Sequence, residues 1–61
     1  MNMVKSWKVT VLMYRSNQPD KKDLYELDVN APNEQKLRRL VLDAAHERDQ
    51  LISEFVAIER T

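Results

Sequence analysis

Residues 44–55 read AAHERDQLISEF, and the architecture of the chain turns on whether one helix runs through them. On a helical wheel Arg48 falls inside the apolar stripe made by Leu37, Val41, Ala44, Leu51, Ile52 and Phe55. A permanent cation there needs either a carboxylate partner or a route to water. Upstream, NAPNEQ (30–35) supplies helix-start chemistry: Asn30 or Asn33 can cap, Pro32 suits the approach, and Glu34 sits where the helix dipole favours an anion. From there to about Glu59 neither Gly nor Pro appears, and Leu37, Leu40, Val41, Ala44, Ala45, Leu51, Ile52, Phe55 and Ile58 recur at spacings of three and four. The pattern predicts one amphipathic helix over 33–60. The polar run HERDQ (46–50) offers an alternative, a kink or a turn into a second helix, but without Gly or Pro the continuous helix is the expectation.

Working back toward the N-terminus, Trp7, Val9, Val11 and Met13 alternate with Lys8, Thr10, Leu12 and Tyr14, which predicts a strand over 6–15. SNQPDKK (16–22) reads as a hairpin loop with Pro19-Asp20 set for a turn. DLYELDVNA (23–31) alternates again, with Tyr25, Leu27, Val29 and Ala31 on one face and Leu24, Glu26, Asp28 and Asn30 on the other. Pairing Met13 with Tyr25, Val11 with Leu27, Val9 with Val29 and Trp7 with Ala31 matches every apolar residue on that face with another. Trp7 and Met13 then belong to the core. The chain is read as a single α+β domain, 1–61, of order ββα: an antiparallel hairpin followed by one long helix.

That reading carries a length mismatch. A helix over 33–60 spans about 42 Å at 1.5 Å per residue, whereas a strand over 7–14 spans only about 27 Å. The overhang would expose Leu51, Ile52, Phe55, Val56 and Ile58, and a lone hairpin leaves two open edges. A homodimer with a four-stranded sheet and paired helices removes both deficits. Its seam would hold Ala44, Ala45, Arg48, Leu51, Ile52 and Phe55, with Arg48 reaching Glu47 or Asp49 of the other copy, or simply snorkelling to water.

Composition narrows the function classes. Sixty-one residues bury only about 60% of the surface of the unfolded chain, so a domain of this size usually needs further support. Cys is absent and His46 stands alone, which argues against disulfides and the usual zinc sets. Ten basic and ten acidic residues cancel, and the absence of Gly removes phosphate-cradling loops. No cofactor or metal is expected. No apolar run approaches a membrane span and the N-terminus lacks signal-peptide features, so the chain is expected to be complete and cytoplasmic.

Candidate chemistry is sparse. His46 shares a helical face with Asp43 and Asp49, too few ligands from one helix for a metal, and Ser53 lies about 10 Å away by helical rise. A nucleic-acid reading rests on Lys21 and Lys22 at the hairpin tip with Arg38 and Arg39 on the helix, and zero net charge weighs against it. The more informative set is Leu12, Tyr14 and Leu24, gathered on the outward sheet face and rimmed by Arg15, Lys22 and Glu26, the composition of a small binding patch. Strand–strand–helix order recurs in unrelated small modules, compact phage accessory proteins that bind host machinery among them, and carries little weight for function. The expectation is a non-enzymatic, homodimeric module that docks on or regulates another protein, with nucleic-acid binding as the alternative.

Overall fold

The computed structural model describes residues 3–61, ordered as β1 (Lys5–Arg15), β2 (Gln18–Ala31), α1 (Glu34–Glu47) and β3 (Gln50–Arg60). The strands form one antiparallel sheet in the order β2-β1-β3. The fold is α+β as expected, but its order is ββαβ. The helix predicted over 33–60 stops at Glu47, and the residues assigned to its overhang form the third strand.

Helix α1 starts where the sequence indicates. Asn33 is extended (φ −154°, ψ 172°) and its Oδ1 accepts from the Lys36 N–H at 2.8 Å. Glu34 occupies the first turn and pairs with Arg38 one turn on, at 3.3 Å. The other cap candidate, Asn30, instead accepts from the Ser6 hydroxyl at 3.2 Å.

The end of α1 is where the pattern misleads. Arg48 caps it with φ −96° and ψ 11°, its N–H donating to the Ala45 carbonyl at 3.1 Å. Asp49 follows in the left-handed region at φ 60°, donating its N–H to the His46 carbonyl at 3.0 Å. Glycine ordinarily takes that position, and Asp and Asn are among the residues that tolerate it best. In a chain with no Gly, the stop signal is an Asp inside a polar run.

Strand β3 imitates a helix for a definable reason. Its partners on β1 are Val9↔Ile58, Thr10↔Ala57, Val11↔Phe55, Leu12↔Glu54, Met13↔Ile52 and Tyr14↔Leu51, so Val56 and Ser53 have no counterpart. Each is the extra residue of a β-bulge, which adds one position to a strand while its neighbours keep their faces. Two bulges stretch the inward-facing row to Ile52, Phe55 and Ile58, spaced by three, and three is also a helical spacing. The β-branched and aromatic content of this segment agrees with the strand.

The β1–β2 register differs from the expected one by two residues. Trp7 stands opposite Val29, Val9 opposite Leu27, Val11 opposite Tyr25, and Ala31 opposite Lys5. An even shift leaves every side chain on its predicted face. The observed register sets Leu12 against Leu24 and Lys8 against Asp28, better matches than the Leu12–Glu26 pair of the expected one. It is made possible by a turn of only Ser16 and Asn17, in place of a loop over 16–22. Pairing jumps from Tyr14↔Lys22 to Arg15↔Gln18, leaving Pro19, Asp20 and Lys21 unpaired on the outer strand. Proline, having no N–H to give a ladder, belongs in such a place.

The core is a single layer between sheet and helix. Trp7, Val9, Val11 and Met13 of β1 are buried with Ala31 and with Leu37, Val41 and Ala45 of α1. Tyr25, Leu27 and Val29 flank it on one side, and Ile52, Phe55 and Ile58 on the other. The Trp7 indole N–H donates to the Ala31 carbonyl at 2.9 Å, satisfying the buried polar atom of this side chain. The accessible surface is 4806 Å², against about 4,100 Å² for a compact monomer of this mass.

Relieving the left-handed residue should stabilise the fold. Asp49→Gly is expected to gain up to about 1 kcal/mol, and Asp49→Val to lose about 1–2 kcal/mol, because a β-branched residue resists positive φ. Urea unfolding followed by circular dichroism measures both. Equal midpoints for the three proteins would contradict the assigned turn.

Candidate interaction surface

Alternation on three paired strands determines what the uncovered face presents. The residues of β1 that point away from the helix, Lys8, Thr10, Leu12 and Tyr14, have neighbours in register on both sides. One row is Lys22, Tyr14 and Leu51, the next Leu24, Leu12 and Glu54, then Glu26, Thr10 and Ala57, and then Asp28, Lys8 and Glu59. Leu12, Tyr14 and Leu51 are half-buried by these neighbours, whereas Leu24 is 64% exposed.

The trio Leu12, Tyr14 and Leu24 is therefore gathered on one face, and the structure adds Leu51. The helical reading assigns Leu51 to a dimer seam. Its signal was available in the alternation of Leu51 with Ile52 across a strand, but was masked by the helical spacing. Lys22 lies with its Nζ 5.9 Å from the Tyr14 ring centroid, and Lys8 pairs with Glu26 at 3.3 Å. The apolar rows thus lie toward the hairpin turn and grade into rows of mixed charge.

The expected seam is dispersed. Ala45 is buried on the sheet-facing side of α1, and Ile52 and Phe55 pack on the core side of β3. Leu51 faces the opposite way, while Ala44 and Arg48 are exposed. No helix overhang exists for a second copy to cover. Arg38 bridges helix and strand instead, its guanidinium carbon 5.0 Å from the Phe55 ring centroid and its NH2 group 3.3 Å from Glu34. The cation that seemed misplaced, Arg48, stands in solvent at the C-terminal end of α1, where the helix dipole favours positive charge. There it edges a small cleft of about 80 Å³ with Met13, Leu27, Val41, Ala44, Ala45 and Gln50.

The basic residues of the nucleic-acid reading do not share a surface. Lys22 belongs to the uncovered sheet face, whereas Arg38 and Arg39 are carried by α1, which covers the other face. Lys21 lies in the unpaired stretch near the turn. Carboxylates of Glu26, Asp28, Glu54 and Glu59 accompany Lys22 on the sheet, which breaks up any phosphate-tracking field.

A shallow cleft of about 330 Å³ between the turn and the end of α1 is lined by Ser16, His46, Asp49, Gln50 and Leu51. Among the described residues no side-chain hydrogen bond links Ser16, His46 and Asp49, and no cluster of three His, Cys, Asp or Glu forms a metal site. Ser53 lies in a bulge of β3. Among the described residues no helix is long and apolar enough to cross a membrane. Comparison with protein-family models, curated proteins and solved structures gives no match.

Phe55 distinguishes the two accounts of the C-terminal segment. Phe55→Asp puts a charge between α1 and the sheet and is expected to cost about 3 kcal/mol or more. Thermal unfolding should show a lowered midpoint or loss of the transition. A folded variant whose only change is its oligomeric mass would restore the seam account.

Proposed function

We propose that the chain is a small non-enzymatic module, acting in the cytoplasm, that docks on another protein through its uncovered sheet face and works by occlusion or scaffolding. Two copies acting together complete the reading, joined by strand edges rather than by crossed helices. The observation that supports docking is the direct pairing of Leu12 with Leu24 beside Tyr14 and Leu51 on a face with no covering layer. An apolar centre with a charged rim, here Lys22, Glu26 and Glu54, is the usual anatomy of a protein-binding surface. A nucleic-acid regulator remains the alternative, but its four basic residues are divided between the two layers, and that weakens it.

A photo-reactive side chain in place of Glu54, beside Leu12, should capture one discrete protein, whereas the same group in place of Glu47 on the helical layer should not. The double variant Leu12→Thr with Leu51→Thr keeps strand propensity and removes apolar surface from the face. It should weaken the captured complex by about tenfold or more with little change in thermal midpoint. Undiminished affinity would sink the assignment of this face.

A further inference from the structure

The two edges of the sheet are unequal. β3 carries two bulges, which disrupt the ladder a neighbouring strand would need. β2 pairs with β1 residue for residue from Lys22 to Ala31, with no irregularity, and its outer edge has no partner strand among the described residues. Pro19 and the unpaired stretch protect only the end nearest the turn. A regular outer strand of this kind is a template for strand addition.

Charge on that edge selects the occupant. Lys8 is engaged with Glu26, while neither Asp28 nor Lys22 forms an ion pair among the described residues. Both project from the uncovered face of β2, three residues to either side of Tyr25. We propose that the β2 edges of two copies pair antiparallel about a two-fold axis at Tyr25, joining the two sheets into one of six strands and setting Lys22 of each copy opposite Asp28 of the other.

Symmetry and charge together favour this register. A two-fold axis normal to the sheet pairs residues on the same face and brings the residue at the axis against itself. An axis at Asp23, Glu26 or Asp28 would set two identical carboxylates together. An axis at Leu27 sets Glu26 against Asp28, and one at Leu24 sets Asp20 against Asp28. With the axis at Tyr25 no like charges meet, and the Lys22–Asp28 pair forms twice, once on each side of the axis.

The helices allow it. Both lie on the same face of the joined sheet, and the two β1 strands are three interstrand spacings apart, about 14 Å. Two helices of about 10 Å diameter fit side by side over that span. The half-buried residues Tyr25 and Leu27, at the margin of each core, gain a neighbouring sheet.

This inference rests on the two-copy reading and is independent of the docking face. Light scattering and sedimentation over a wide concentration range should give wild type twice the mass of the chain, with association weakened by salt. Asp28→Lys and Lys22→Glu, each at an exposed position, should separately weaken self-association on the order of tenfold. The double variant Lys22→Glu with Asp28→Lys should restore it, since the charges then oppose again across the axis. A wild-type monomer at every concentration would overturn the two-copy reading together with the proposed edge. A dimer indifferent to both single variants, or one that the double variant fails to restore, would overturn the Tyr25-centred edge alone.

Discussion

The fold depends on a reversal made without glycine. Asp49 holds the left-handed conformation that lets the chain leave α1 and return alongside β1, and its N–H closes onto His46 as it does so. Were the helix to run on, β1 would lose one neighbour, and Ile52, Phe55 and Ile58 would have no core to flank. A short polar side chain is one of the few that accept this backbone at modest cost. A local conformational choice at one residue thus decides whether the protein is a hairpin with an overhanging helix or a closed two-layer unit.

Much of the rest was legible in the sequence, because it rests on parity. Strict alternation identified β1 and β2, assigned each residue to a face, and so placed Trp7 and Met13 in the core and Leu12, Tyr14 and Leu24 on the outside. Those assignments survive a two-residue error in register, since the face of a strand residue depends only on whether the shift is even. The Asn33 cap was legible because its chemistry is local. β3 was hidden because its two bulges turn a period of two into a spacing of three, and because Arg48 and Asp49 end a helix without the residue that usually marks such an end. The misplaced cation was the clue. An Arg in an apolar stripe signals that the stripe is broken there, and Arg48 does stand at the break.

A sheet covered on one face has two kinds of surface left, and here their chemistry differs. The open face is apolar near the hairpin turn and mixed in charge toward the other end, so contact there draws on burial of leucine and tyrosine side chains. The outer edge of β2 instead offers backbone donors and acceptors, with charged side chains alternating along it. Backbone pairing is indifferent to sequence, so specificity at an edge has to come from the side chains that flank it.

This division bears on why a chain with zero net charge need not be electrostatically inert. Charge cancels over the molecule but not along β2, where Lys22 precedes Leu24 and Glu26 and Asp28 follow it on the same face. Lys8 neutralises one of those two acids and leaves the other without a partner in the described chain. On the uncovered face of its paired stretch β2 is basic at one end and acidic at the other, a pattern that complements its own antiparallel image and opposes its parallel one. The polarity of β2 therefore favours antiparallel over parallel pairing of this edge with its own copy.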